Sequence, residues 1–277
     1  MIRLAGRLNS SARLLTVRVL KLLPIGLALM FFGGACGNQT RSAPRIDVLI
    51  LGDSLLYESR QIVRAGLSRS RVVVRAHPGF APCDLLQTLD DDLARFRPRL
   101  VVLETAGGGL TPCMRGVGPL GSQRFTQRYA ADVSQVIRKA RSVGSRVLVV
   151  DPPPFGGLSA GANDILIRMD RGWRSDAEGR AGIRFTSMPR DAVSDHGTYV
   201  PTLPCIAEER QFPECRAGRI AIRDAYFGVH FCPMPYADAR AIERGCPTYS
   251  SGAVRFGRAL VEAVVDLGVL HRTEAVH

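Results

Sequence analysis

From residue 46 onward, short apolar runs alternate with longer stretches whose apolar positions recur every three to four residues. Ile46-Asp47-Val48-Leu49-Ile50-Leu51 breaks abruptly at Gly52-Asp53-Ser54, and a helical pattern begins at Leu55. β-Branched and aliphatic runs at 46–51, 71–75, 100–104, 146–150 and 183–187 predict five buried strands. Helical periodicity predicts helices at about 57–67, from Asp84 to about Phe96, at 122–141, a short one at 163–169, and a closing helix at 251–267. Strand four must stop at Asp151-Pro152-Pro153-Pro154, because proline cannot continue a central ladder. Regular β–α alternation predicts one α/β domain, a three-layer α/β/α sandwich with a five-stranded parallel sheet. Residues 189–250 break the rhythm; a Pro-, Gly- and Cys-rich stretch of that length is expected to be functional or stapled.

The amino terminus divides off from this domain. Residues 1–36 carry five basic and no acidic side chains (Arg3, Arg7, Arg13, Arg18, Lys21), then the apolar run 22–35 and small residues before Cys36. This is the pattern of a secretory signal, and the run is short for a membrane span. Cys36 after Gly34-Ala35 is a candidate lipid-attachment cysteine, although Gly33 stands where a branched aliphatic residue is usual. Gly33-x-Ala35 equally fits simple cleavage, and an uncleaved anchor is the third option. Residues 37–45 form a polar tether, leaving 46–270 as the folded domain. An exported chain in the cell envelope follows, anchored on the outer side of the cytoplasmic membrane or secreted.

Charge changes this picture little. Of the formal +12, the first 36 residues carry five charges, leaving +7 spread thinly without a basic run or interleaved aromatics, so nucleic acid is not an expected partner. Cysteines change it more. Apart from Cys36 there are six, Cys83, Cys113, Cys205, Cys215, Cys232 and Cys246, an even number in Pro-rich loop text that suits three disulfides in an oxidising compartment. Without a Cys-x2-Cys pair no zinc site is expected, and no cofactor is implied.

A serine at a strand-to-helix turn sits at the carboxyl edge of a parallel sheet, where such sheets bind ligands, beside helix N-terminal amides. Its plain reading is a helix N-cap. As a nucleophile it needs a base and oxyanion donors. Of the histidines at 77, 196, 230, 271 and 277, His230 in Gly228-Val229-His230-Phe231-Cys232-Pro233 precedes the final helix and so belongs on the same edge as Ser54.

These blocks resemble the SGNH (GDSL-type) hydrolases, secreted esterases, lipases and acetyl-hydrolases, with Thr-Pro-Cys and His-Phe-Cys elements like those of exported actinobacterial members. Gly52-Asp53-Ser54-Leu55 matches the first block, Gly79 the glycine that offers an amide to the oxyanion, and Gly228-Val229-His230 the last block. The resemblance spans about residues 46–266. It implies a flavodoxin-like sheet of order 2-1-3-4-5, Ser54 as nucleophile and His230 as base. With that order, strands two and three flank strand one, which implies the pair Cys83–Cys113, and Cys205–Cys215 and Cys232–Cys246 then close short local loops within 189–250.

Two positions depart from the family's pattern. Gly108, in Thr105-Ala106-Gly107-Gly108-Gly109, occupies the place of an oxyanion-binding asparagine. Gly161-Ala162-Asn163-Asp164 spells that motif after strand four, where Asn163 reads as a helix start. Phe227 stands where an aspartate three residues before the histidine should orient it. Asp224 is the candidate substitute and Asp195 a more remote one; a solvated loop carboxylate is the plain reading of Asp224. Missing one oxyanion donor costs on the order of 10²–10³ in rate, and missing the tautomer-holding acid about 10⁴. The expectation is therefore an exported or lipid-anchored Ser–His esterase acting on ester-linked acyl groups of lipids or glycans. The alternative is a weak or inactive envelope lipoprotein of the same fold that binds an acyl or glycan ligand.

Overall fold

The computed structural model describes residues 45–109, 111–120, 122–177, 180–224, 227–232, 246 and 248–270. The expected signal segment, the candidate lipid-attachment residue Cys36 and nearly all of the expected tether lie outside these residues. Among the described residues no helix is long and apolar enough to cross a membrane.

Five parallel strands, β1 (Val48–Gly52), β2 (Val72–Ala76), β3 (Leu100–Glu104), β4 (Arg146–Val150) and β5 (Ile183–Thr186), form one sheet in the order β2-β1-β3-β4-β5. β1 is central, Val48 pairing with Val72 on one side and Leu100 on the other. Every residue of β1 and β3 is buried, as a sheet covered on both faces requires. The helices are α1 (Ser54–Gly66), α2 (Pro82–Phe96), α3 (Gln123–Ser142), α4 (Asn163–Ala177), the single turn α5 (Met188–Asp191) and α6 (Ser251–Asp266). Right-handed crossovers dictate the layers: the step from β1 to β2 runs opposite to all later steps, so α1 covers one face and α2, α3 and α4 the other. Accordingly α1 packs against α6, α2 against α3, and α3 against α4.

Element edges differ from the sequence expectation for local reasons. α1 begins at Ser54 because the side chain of Asp53 caps it, Oδ1 accepting the Leu55 N–H at 3.1 Å. α4 runs on to Ala177 because buried Leu166, Met169 and Trp173 continue the helical stripe. The irregular stretch holds α5 and an antiparallel hairpin, β6 (Thr202–Pro204) with β7 (Arg219–Ala221), whose three-residue strands are too short to show alternation. Disulfides join Cys83 to Cys113, Cys205 to Cys215 and Cys232 to Cys246. The second spans the β6–β7 connection, and the third ties the segment after His230 to the approach to α6.

Candidate active site

β1 ends at Gly52, and the turn through Asp53 delivers Ser54 as the first residue of α1, at the carboxyl edge of the sheet. Asp53 is the N-cap, so Ser54 is not needed for capping, and among the described residues its hydroxyl has no hydrogen-bond partner. Asp53 is buried and holds the site's floor: Oδ1 accepts from Leu55 and Oδ2 accepts the N–H of Ala106 at 2.7 Å, bringing the loop after β3 beside Ser54.

His230 comes from the loop between β7 and α6, and the backbone there is tightly specified. Gly228 has φ +63°, and a Cβ on it would fall 2.4 Å from the carbonyl carbon of Gly156 in the loop after β4. Gly156 N–H donates to the Gly228 carbonyl at 3.0 Å, so the two loops are joined main chain to main chain. Buried Arg223 reinforces the joint. Its guanidinium donates to the carbonyls of Val229 at 2.7 Å and Pro154 at 3.4 Å and lies over the Phe231 ring, and burial lowers its pKa to about 10.

The partner of His230 is not the expected one. Asp224 spends its carboxylate on backbone: Oδ1 accepts from Phe227 at 2.6 Å, and Oδ2 from Val229 at 3.1 Å and His230 at 2.8 Å. That makes it the organiser of the loop, and the expectation that it holds the imidazole is corrected. Nδ1 of His230 instead lies 2.8 Å from Oε1 of Glu58, one turn along α1 from Ser54. Oε2 of Glu58 accepts the N–H of Phe231 at 2.6 Å and of Cys232 at 3.2 Å, and the side chain is 2% exposed. Burial works against a charged His230, but the hydrogen bond and charge of Glu58, with Asp224 and Asp53 farther off, hold its pKa above the ordinary value. Asp195 sits in an exposed turn with His196 and takes no part.

Sequence reasoning missed Glu58. The available signal was helical spacing: residue 58 falls on the same face as residue 54, four positions on, a buried acid among Leu55, Leu56 and Val63.

Gly79 (φ +77°) and Gly108, the two candidate oxyanion glycines, approach each other: a Cβ at Gly108 would lie 2.3 Å from the Phe80 carbonyl oxygen and 3.0 Å from that of Gly79. The position has no room for an asparagine. Among the described residues the amides of Gly79 and Gly108 have no acceptor, whereas the Gly107 N–H is occupied by the Tyr129 hydroxyl at 3.0 Å. Asn163 is a helix start, as read: its side chain accepts from the Phe155 N–H at 2.5 Å and donates to the Phe155 carbonyl at 2.7 Å. Cys83–Cys113 and Asp84, which accepts from Ala81 N–H and Thr111 Oγ1, tie the two loops that carry these glycines.

No protein-family model and no curated protein matches the chain. Solved structures do. A GDSL-like lipase from Bacteroides thetaiotaomicron superposes with a TM-score of 0.51 at 12% identity, over 80% of this chain and 88% of its own. A candidate acylhydrolase from Bacteroides fragilis gives 0.53 at 14% identity, over 82% and 92%. At such identities the likeness speaks to architecture, and with the observed strand order and layers it gives the conclusion: this chain has the three-layer α/β fold of the SGNH hydrolases.

Proposed function

We propose that this chain is an exported serine acyl hydrolase that cleaves ester-linked acyl groups from lipids or glycans. The observation that carries the reading is the Glu58–His230 contact: it pins the imidazole to the helix that begins with Ser54, at a residue four positions along from that serine. An apo site is often looser than hydrogen-bond distance, so an unengaged Ser54 hydroxyl is compatible with the role. Ser54 Oγ attacks the ester carbonyl carbon and forms a C–O bond as its proton passes to Nε2 of His230. The carbonyl electron pair moves onto oxygen, facing the amides of Gly79 and Gly108. Collapse breaks the bond to the alcohol, which leaves with the proton from Nε2, and water repeats the sequence on the acyl-enzyme. Three disulfides support an oxidising destination, as the amino-terminal pattern does.

The test is labelling of the full-length protein with a fluorophosphonate, together with hydrolysis of p-nitrophenyl acetate, each compared with Ser54→Ala. Both signals should vanish in the variant. The missing side-chain donor at Gly108 favours a second reading, an envelope protein that holds an acyl or glycan ligand without turning it over. Unlabelled wild-type protein that still binds such a ligand would select it.

A further inference from the structure

The residue that should complete the site is absent from its usual place: Phe227 stands three before His230, and Asp224 is committed to three backbone amides. We propose that Glu58 has taken over, so that the reaction runs on Ser54, His230 and Glu58 with the first and last members one turn apart on a single helix. The inference rests on the Ser54–His230 hydrolase reading, and it concerns which group orients the base.

Three observations carry it. The contact is direct, Glu58 Oε1 to His230 Nδ1 at 2.8 Å, which assigns the serine proton to the ring's other nitrogen, Nε2. The carboxylate is fixed independently of the imidazole, because Oε2 receives the Phe231 and Cys232 amides. Those amides follow His230 in the chain, so one carboxylate grips both the ring and the backbone behind it. Finally, a buried carboxylate is costly unless each oxygen is satisfied, and here each is. Glu58 is a positioning residue: it holds Nδ1–H, and it stabilises the imidazolium that forms when Nε2 takes the serine proton.

The geometry dictates what Glu58→Gln does. The glutamine's only acceptor oxygen is claimed by the Phe231 and Cys232 amides, so its NH₂ is turned toward Nδ1. Nδ1 must then accept, which forces the proton onto Nε2, the nitrogen that has to receive the serine proton. Glu58→Gln should lower kcat/KM for p-nitrophenyl acetate by about 10⁴-fold with little change in Tm. Glu58→Asp keeps the charge but shortens the reach, and should retain a larger share of activity than the glutamine variant.

The deciding measurement does not need turnover. Nitrogen-15 NMR of the His230 ring in the full-length protein follows its tautomer and titration. The groups facing the imidazole are Glu58, Asp224 and Asp53. In wild type the neutral ring should carry its proton on Nδ1 and titrate above an ordinary histidine. In Glu58→Gln the proton should move to Nε2 and the titration midpoint should fall; in Ser54→Ala neither should change. An unchanged tautomer and midpoint in Glu58→Gln would overturn the assignment even if Ser54 labels. Unlabelled wild type with the tautomer shift intact would instead sink the hydrolase reading and leave the Glu58–His230 couple standing. If Glu58→Gln fails to fold, the same spectra of Glu58→Asp decide by whether the midpoint departs from wild type.

Discussion

Asp53 and Glu104 share a buried pocket beside the serine: the Asp53 N–H reaches Oε2 of Glu104 at 3.3 Å, and neither side chain is open to solvent. Burial raises Asp53 to about 6, offset in part by the Ala106 and Leu55 amides, and burial with the Asp53 charge raises Glu104 well above the ordinary range. Both folded-state pKa values exceed those of the unfolded chain. The native state therefore binds more protons between about pH 4 and pH 6 and beyond, and stability falls as pH rises through that window. His230 adds a loss of the same sign at higher pH, since its folded pKa is also raised. Glu104→Gln removes one of the two carboxyls and should flatten the decline between pH 4 and 7. Thermal melting of both proteins across that range checks it, and parallel curves would contradict the shared-pocket account.

Gly108 yields a prediction with the opposite sign to intuition. Restoring the absent asparagine by Gly108→Asn should not raise activity, because its Cβ would meet the Phe80 carbonyl at 2.3 Å. A contact that close forces the Gly79–Phe80 backbone away, carrying off a candidate oxyanion amide. Turnover should drop on the order of 10²-fold or more, with a lowered Tm. Increased turnover with p-nitrophenyl acetate would show that the loop can yield.

Asp224→Asn should behave as a loop-folding defect. Three backbone N–H groups converge on that carboxylate, and an amide offers one acceptor oxygen in its place. A loss of about 1–3 kcal/mol is expected for the buried donors left unsatisfied. Activity should recover on cooling, when the loop is folded again, and comparing kcat/KM at two temperatures separates this from a chemical defect.

The disulfides should differ in what their removal does. Chain entropy gives about 3 kcal/mol for each of the two shorter rings and about 3.6 kcal/mol for Cys83–Cys113. For a domain of this size each step of 3 kcal/mol is worth roughly 6–12 °C in Tm. Replacing Cys232 and Cys246 by alanine should also impair turnover, because Cys232 donates its N–H to Glu58. Replacing Cys205 and Cys215 should lower Tm alone, since that ring staples the β6–β7 connection away from His230. Melting curves and esterase assays on the two pairs test the contrast.

What the sequence disclosed followed its periodicities. β1 and β3 are buried on both faces and read as unbroken apolar runs; α3 and α6 are long enough for their stripes to stand out. The placement of Ser54 was legible because an apolar run breaking into Gly-Asp-Ser before a helical pattern marks a strand-to-helix turn. The partner of His230 was not, because it lies 172 residues away and the choice between Glu58 and Asp224 turns on how a loop folds against α1. Local spacing favoured Asp224, and the loop's own amides claimed it first. The β6–β7 hairpin escaped for want of length, its three-residue strands being shorter than the alternation that would reveal them.

Glu58 follows Ser54 by four positions on one helix, so about 6 Å of axial rise fixes their offset wherever the helix itself sits. An acid borne by the histidine's own loop would leave the serine as the separately delivered part, and sheet twist, helix tilt and loop length would all enter the error between them. Here two of the three are machined on one rod, and only the histidine must arrive from elsewhere. Its arrival is registered at both ring and main chain against that same rod, so small rigid movements of α1 carry the alignment with them.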